Sequence, residues 1–106
     1  MTQILKENGK TIIQTGSRID TVNASQFEKD IQPALTEPGG QVEMDCSELT
    51  YMASSGLRIV QMAMRTVVMN QGSFKMTNVN PKVYKVLSMT GFTKFIKVEQ
   101  KVDTEG

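Results

Sequence analysis

Two adjacent hydroxyl groups, those of Ser54 and Ser55, lie at the start of the longest helical pattern in this sequence, and Gly56 follows them. A strand-like segment, Gln41–Asp45, and a short polar turn precede them. The first turn of a helix carries unpaired backbone N–H groups and a partial positive charge. A serine hydroxyl at this position therefore either caps the helix or offers a site where a phosphate group is stabilised.

The sequence contains no histidine, and this absence limits the chemistry that the serines could perform. Without histidine there is no Ser-His-Asp triad, no Cys-His pair and no histidine-based zinc site. Residues 52–56 also lack the leading glycine of the Gly-x-Ser-x-Gly nucleophile motif. The chain has no phosphate-binding loop of the Gly-x-x-x-x-Gly-Lys-Ser/Thr type, no convincing pair of catalytic carboxylates and no metal-ligand cluster. We therefore expect a protein that is not an enzyme and that needs no cofactor and no metal ion.

The length of 106 residues fits a single domain, residues 1–106, with a modest core. A net charge of +1 does not favour binding to nucleic acid or to an anionic membrane, and no apolar run is long enough to span a bilayer. The polar N-terminus does not resemble a signal peptide. The single cysteine, Cys46, cannot form an internal disulfide and is more typical of a small buried side chain than of a reactive thiol. These features predict a cytoplasmic protein and leave its oligomeric state open.

Strand and helix patterns alternate along the chain after an opening hairpin, in which Asn8 and Gly9 form a two-residue turn. The first helix has Asn23 or Ser25 as its cap, and Ser25 with Glu28 fits a capping box. A proline distorts the last turn of that helix. This order predicts an α/β domain with a mixed sheet. The predicted strands span residues 4–7, 10–15, 41–45, 73–77 and 95–99, the longest helix spans 55–70, a third helix begins at 81, residues 18–22 form an extended connection, and residues 100–106 form a frayed, flexible tail.

The longest helix has two faces when its residues are projected at about 100° each. Its predicted core face holds Leu57, Val60, Ala63, Met64, Val67 and Val68. The opposite, exposed face carries a Met–Arg stripe, which consists of Arg58, Met62, Arg65 and Met69. Scattered surface methionines are common in proteins, but methionine and arginine are also enriched in interfaces. The stripe is therefore either an ordinary surface or a partner-binding surface.

The segment that contains the two serines resembles the STAS domain family, which includes bacterial anti-sigma factor antagonists. Asp20 falls where the family carries a short hydrophobic-Asp motif, and the similarity covers almost the whole chain. The resemblance implies an α/β fold with a mixed four- to five-stranded sheet and three to four helices packed beside it. The residues that match the main pattern are Val42, Met44, Asp45, Ser47, Tyr51, Met52, Ser54, Ser55, Gly56 and Leu57, with further similarity in residues 18–20, 78–81 and 88–92.

This resemblance also implies a function and a partner. In family members that antagonise anti-sigma factors, the partner is a serine kinase that phosphorylates the first serine of the pair, which is Ser54 in this chain. The unmodified protein binds the kinase, and the phosphorylated form does not. Asp20, Ser55 and Gly56 are then expected to shape the site. Asp45 is a further candidate, although an aspartate at a strand end more often forms a turn by bonding its own backbone.

One position departs from the family pattern and keeps other functions open. Many switchable members carry aspartate immediately before the phosphorylated serine, where this chain has Ala53. The alternative is an unswitched scaffold subunit, such as the STAS partner of a lipid-transport ATPase or a part of a signalling assembly, in which Ser54 is only a helix cap. A third alternative is a protein that weakly binds or hydrolyses nucleotides.

Overall fold

The computed structural model describes residues 2–101 and contains seven strands and three α-helices in that range. The strands are β1 (Gln3–Glu7), β2 (Lys10–Gln14), β3 (Arg18–Ile19), β4 (Gln41–Asp45), β5 (Tyr51–Met52), β6 (Ser73–Val79) and β7 (Lys97–Gln100). The helices are α1 (Ala24–Ile31), α2 (Ser54–Met69) and α3 (Pro81–Met89), and two 3₁₀ turns span Gln32–Leu35 and Phe92–Lys94.

The main sheet has five strands in the order β1-β2-β4-β6-β7, and this confirms the predicted mixed sheet. β1 runs antiparallel to β2, while the other neighbours are parallel. The hairpin turn is Asn8-Gly9, as the sequence predicts, and both residues have positive φ, 51° and 82°. These angles suit a turn whose twist matches that of the flanking strands.

Side chains on one face of the sheet form the core with the helices. Val42 and Met44 of β4 and Phe74 and Met76 of β6 are buried, and they join the buried side of α2 in one cluster. Most of the alternate residues of these strands are polar and partly or fully exposed, such as Glu43, which pairs with Lys10 at 3.2 Å. Thr77 of β6 is buried, and its hydroxyl donates to the Glu43 carboxylate at 2.9 Å. The period of two along each strand therefore separates the core from the solvent.

Of the two predicted caps of the first helix, Ser25 is wrong, whereas Asn23 is the N-cap residue. α1 begins at Ala24, so Ser25 lies inside the helix and is exposed, and no capping box forms with Glu28. Asn23 occupies the N-cap position, but its side chain makes no cap hydrogen bond, because Asn23 Oδ1 accepts from the N–H of Asp20 at 2.8 Å. The predicted distortion at Pro33 is confirmed, since the chain continues there as a 3₁₀ turn.

A small second sheet lies where the sequence predicts only an extended connection. β3 pairs with β5 in parallel, with Arg18 opposite Tyr51 and Ile19 opposite Met52. Two strands of two residues each have no alternating pattern that a sequence could reveal. This pair matters because β5 leads directly into α2.

Several boundaries also differ from the predictions. α2 begins at Ser54 rather than at residue 55, and β6 continues beyond residue 77 to Val79. The last strand covers Lys97–Gln100 rather than 95–99, because a 3₁₀ turn occupies the preceding residues. Residue 100 is therefore not part of a tail, and residues 102–106 lie outside the described residues.

The core face of α2 also differs from the prediction. Val68 is 55% exposed instead of buried, whereas Ile59 belongs to the core.

The start of α3 offers a test of the capping geometry. Asn80 Oδ1 accepts from the N–H of Val83 at 2.8 Å, and its Nδ2 donates to the carbonyl of Leu49 at 2.9 Å. We expect Asn80→Ala to lower the free energy of unfolding by about 1 to 2 kcal/mol. Ser25→Ala is the matched control and should cost nothing, because Ser25 caps no helix and alanine has the higher helix propensity. Urea unfolding measures both variants. A loss of about 1 kcal/mol in Ser25→Ala would contradict the structure and indicate that Ser25 forms a capping box with Glu28.

Candidate functional site

The N-terminus of α2 has no side-chain cap. The N-cap residue is Ala53, in an extended conformation, and the first turn contains no acidic residue. Ser54 is the first helical residue and is exposed, so the interpretation of Ser54 as the helix cap is wrong by one position. The helix therefore presents its partial positive charge to solvent at the position of the Ser54 hydroxyl.

The two adjacent serines have different environments. Ser54 is exposed, whereas the Oγ atom of Ser55 is buried and has no hydrogen-bond partner among the described residues. Successive residues of a helix point about 100° apart, so one of the two hydroxyls faces solvent while the other faces the protein. A modifying enzyme could therefore reach Ser54 and not Ser55.

Gly56 allows the start of α2 to approach the small second sheet. A Cβ atom at this position would lie 2.8 Å from Cγ of Met52 and 2.9 Å from Cγ2 of Ile19. Both distances are shorter than carbon atoms in contact adopt, at about 3.5 Å or more. The glycine is thus a packing requirement rather than a flexible point.

Backbone hydrogen bonds attach the segment before α2 to the segment that contains β3. The N–H of Ala53 donates to the carbonyl of Ile19 at 2.8 Å. The N–H and the hydroxyl of Thr50 both donate to the carbonyl of Ser17, at 2.8 and 3.0 Å. The position of Ser54 is therefore determined by contacts with a part of the chain more than thirty residues earlier.

Asp20 follows Ile19, whose carbonyl accepts from the N–H of Ala53, and it organises the turn before α1. We call residues 53–56, which contain the two serines, the serine loop. Its Oδ1 accepts from the N–H groups of Val22 and Asn23, and its Oδ2 accepts from Nε of Arg18 at 2.9 Å. The hydrogen bond from Asn23 is the main reason that the pKa of Asp20 is below its ordinary value, and Arg18 contributes. The Arg18 guanidinium also lies 5.2 Å from the ring centre of Tyr51. The carboxylate is thus a turn-forming group.

Asp45 is not brought into the same groove as the serines. Its Oδ1 accepts from the N–H of Ser47 and from Nδ2 of Asn78, both at 3.0 Å. This is the turn-forming role that its position at a strand end indicates. Asp45 lines a separate groove with Ser47 and Glu48, whereas Ser55 lines the groove between α1 and α2.

A groove of about 410 Å³ separates α1 from α2 beside the serine loop, and we call it the α1–α2 groove. Its walls include Arg58 and Met62 from the predicted Met–Arg stripe. Met62 is only partly exposed and packs against the core, so the stripe is not uniform, while Arg58, Arg65 and Met69 are exposed. Sequence analysis missed the contribution of α1, because periodicity within one helix does not reveal the helix beside it. The groove is lined by Thr21, Ala24, Ser25, Glu28, Ser55, Arg58, Ile59 and Met62.

Other features of the described residues limit further chemistry. Cys46 is buried, and burial raises the pKa of its thiol to about 12, with the negative charge of Asp45 adding to the effect. Such a thiol is unreactive because little thiolate forms.

The described part of the chain has neither a metal-binding cluster nor a membrane-spanning helix. Within residues 2–101, no three potential metal-ligating side chains come together. In the same range no helix combines the length and apolar character needed to cross a bilayer.

The close contact at Gly56 gives a prediction on stability. We expect Gly56→Ala to lower the free energy of unfolding by about 1 to 3 kcal/mol, because its Cβ would overlap with Ile19 and Met52. The matched control is Ser54→Ala in the same helical turn, which should change stability by less than about 0.5 kcal/mol because Ser54 is exposed. Urea unfolding of both variants measures the difference. Equal stability of the two would contradict the close packing described here.

The lowered pKa of Asp20 gives a prediction on pH dependence. Because the pKa of Asp20 is lower in the folded state, its carboxylate stabilises the fold above the unfolded-state pKa, and this contribution is lost as the pH falls through the folded-state value. We expect Asp20→Ala to be less stable than wild type at neutral pH and equally stable in strong acid. Unfolding by urea at several pH values measures this convergence. Asn23→Ala is the control, since it removes a neutral hydrogen bond and should destabilise the fold at every pH.

The comparisons with known proteins agree with this architecture. A family model of the STAS domain matches residues 2–105. BtrV of Bordetella bronchiseptica, named as a candidate anti-sigma factor antagonist, is 26% identical over 93 residues, which cover 88% of this chain and 80% of BtrV. The anti-sigma-B factor antagonist of Bacillus subtilis is 24% identical over 98 residues, which cover 92% of this chain and 89% of that protein.

Solved structures have the same fold at lower identity. The anti-sigma factor antagonist SpoIIAA in its unphosphorylated form has a TM-score of 0.76 at 21% identity, with 99% of this chain and 90% of that chain covered. SpoIIAA of Bacillus in its phosphorylated form has a TM-score of 0.69 at 21% identity, with 99% and 94% covered. The match of the family model over nearly the whole sequence shows that this chain belongs to the STAS domain family.

Proposed function

We propose that this protein is an anti-sigma factor antagonist that binds an anti-sigma factor serine kinase and is released when that kinase phosphorylates Ser54. The names of BtrV and of the Bacillus subtilis relative support the antagonist function. The observation that carries the switch is the exposure of Ser54 at an uncapped helix N-terminus, beside a serine whose hydroxyl is buried.

A phosphate on Ser54 is compatible with the folded state. It would lie at the N-terminus of α2, where the helix dipole stabilises an anion by about 0.3 to 1 kcal/mol at an exposed position. Because Ser54 is exposed, the modification displaces no core side chain. The existence of SpoIIAA structures in both forms, each similar to this chain over its length, supports this compatibility.

The same phosphate would change the surface that a partner meets. It adds about 1.5 to 2 negative charges at neutral pH, next to the α1–α2 groove. Arg58 lies four residues after Ser54, the spacing at which side chains of opposite charge interact on a helix. The phosphate would therefore repel acidic groups of a partner. It would also form an ion pair with Arg58, which would then no longer be free to pair with the partner. Unfavourable charge contacts of a few kcal/mol lower affinity by about two to three orders of magnitude.

The proposed partner surface consists of the serine loop and the exposed ridge of α2 beside it. Arg58, Arg65 and Met69 project from this ridge, and Met62 forms one wall of the α1–α2 groove. Three further residues lie behind this surface. Asp20 forms the turn before α1, the Ser55 hydroxyl is buried, and Gly56 packs against the small second sheet. Their proposed role is to position Ser54 rather than to react.

A second candidate function rests on Ala53. Many switchable STAS proteins have an aspartate at this position, and its absence removes a carboxylate from the serine loop. The alternative is a scaffold subunit, of a lipid-transport ATPase or a signalling assembly, that binds its partner without phosphorylation. In that case the charge at residue 54 would not affect binding.

Phosphorylation is tested by incubating the protein with the serine-kinase anti-sigma factor of the same organism and ATP, followed by peptide mass spectrometry. We expect a single phosphate on Ser54 in wild type and in Ser55→Ala, and none in Ser54→Ala. Phosphate on Ser55, or unmodified protein with a kinase that phosphorylates another substrate, would contradict the proposal.

Binding is tested by calorimetric titration of the same kinase with two variants. We expect Ser54→Ala to bind as tightly as wild type and Ser54→Asp to bind at least about tenfold more weakly, because one negative charge enters the interface. Circular dichroism and urea unfolding serve as controls that both variants fold. Equal affinity of both variants would favour the scaffold function.

A further inference from the structure

Acidic and basic residues are distributed unevenly along the sequence. Between Glu48 and Glu99 there is no aspartate or glutamate, whereas this part of the chain contains two arginines and five lysines. It supplies α2, β6, α3 and the 3₁₀ turn Phe92–Lys94. The surface that α2 and α3 present to solvent is therefore positively charged, although the net charge of the whole chain is only +1.

This positive surface also contains an apolar groove. The groove has a volume of about 280 Å³ and lies between α2 and the segment after α3, and we call it the α2–Phe95 groove. Phe95, at its edge, is 73% exposed, and Met89, which immediately precedes the lining residue Thr90, is 76% exposed. The groove is lined by Gln61, Met64, Thr90, Phe92, Phe95 and Ile96.

Two basic residues that are adjacent in sequence to lining residues of this groove make no ion pairs within residues 2–101. The ion pairs in that range involve other basic residues, whereas Arg65 and Lys94 have no acidic partner there. Arg65 follows Met64 on α2, and Lys94 precedes Phe95. Apolar lining and unpaired positive charges therefore occur together on one surface.

The exposed side of α3 also combines apolar and positively charged side chains. Lys82, Lys85, Val86 and Met89 are exposed and recur at the spacing i, i+3, i+4 and i+7, so they share one helical face. Val86 and Met89 add apolar area, and the two lysines add charge. Exposed apolar residues that are grouped in this way, and surrounded by polar groups, mark binding surfaces more often than isolated ones do.

We propose that the α2–Phe95 groove binds an acidic, amphipathic helical segment of a protein partner. The apolar side of such a segment would lie between Met64 and Phe95, and its carboxylates would pair with Arg65 and Lys94. The concave groove suits single side chains better than the flat surface of a bilayer, and the lack of acidic residues in residues 49–98, which supply the lining of the groove, favours an acidic partner.

This site differs from the proposed switch, although the exposed Arg65 belongs to both surfaces. On α2, Arg58 and Met62 line the α1–α2 groove, whereas Gln61 and Met64 line the α2–Phe95 groove, so the two grooves lie on opposite flanks of one helix. The inference does not depend on phosphorylation of Ser54. Binding at the second groove should therefore be unchanged in Ser54→Asp.

The test uses a synthetic peptide of about sixteen residues, roughly 24 Å long as a helix, with leucine along one face and glutamate elsewhere. Methyl-¹³C methionine labelling of the full chain reports where the peptide binds. We expect the signals of Met64 and Met89 to shift, and those of the fully buried Met44 and Met76 to remain unchanged. Fluorescence anisotropy should show binding that weakens when salt is raised to about 1 M, where the screening length is about 3 Å.

Matched variants separate this groove from the rest of the surface. Phe95→Ser and Lys94→Glu should each weaken binding of the peptide at least about tenfold, which is about 1.4 kcal/mol. Val22→Ser, at a residue that is 89% exposed elsewhere, and Lys6→Glu on β1 should bind as wild type does. Urea unfolding confirms that all four variants are folded.

Several outcomes would overturn the inference. One is equal binding of a peptide in which lysine replaces glutamate, and another is equal binding by Phe95→Ser and wild type. If vesicles of phosphatidylglycerol bind through these residues while the peptide does not, the surface recognises lipid instead. If Phe95→Ser abolishes self-association in analytical ultracentrifugation and the peptide does not bind, the occupant is a second copy of this chain.

Discussion

The contact between the short strand β3 and the start of α2 is the constraint on which the candidate site depends. The N–H of Ala53 bonds to the carbonyl of Ile19, and Gly56 leaves no room for a side chain between α2 and the β3–β5 sheet. These contacts fix both the position and the rotation of the first turn of α2. Because residues of a helix differ by about 100° in direction, the rotation decides which serine faces solvent. A different rotation would expose Ser55 and bury Ser54.

This arrangement lets one position change binding without changing the fold. Ser54 contributes little to the core because it is exposed, and the uncapped helix end next to it accepts negative charge. The partner, in contrast, would meet that charge in an interface, where mismatched charges cost several kcal/mol. The asymmetry arises from solvation: water and the helix dipole stabilise the phosphate in the free protein, and a docked partner would remove the water. Asp20 does not offset this, since its carboxylate already accepts hydrogen bonds from two N–H groups and from Arg18.

The sequence predicts elements whose signals are local, and it fails where the signal comes from distant residues. The Asn-Gly hairpin, the strand Gln41–Asp45 and the helix that begins at Pro81 follow from turn chemistry, burial and proline, and all three are present. The β3–β5 sheet depends on two pairs of residues that lie more than thirty positions apart, so no local pattern marks it. Ser25 matches a capping pattern, but the Asp20–Asn23 turn starts the helix two residues earlier, with Asn23 as the N-cap residue. Met62 lies on the predicted outer face and is half-buried because α1 packs beside it, which only the tertiary structure reveals.

The position of α2 between two grooves explains how one helix could serve two kinds of contact. Its buried side is narrow, formed by Gly56, Ile59, Val60, Ala63 and Val67, so much of its circumference remains accessible. The charged side chains that residues 49–98 contribute to the surface of α2 and α3 are all positive, which favours contact with acidic groups. A phosphate at Ser54 would reverse the sign at one end of the helix. The screening length of about 8 Å at physiological salt is shorter than the roughly 24 Å of the helix, so this reversal would act on the α1–α2 groove and leave the more distant charges attractive. The charge pattern and the length of α2 therefore allow the switch to be local, since the helix is longer than the range over which a phosphate acts.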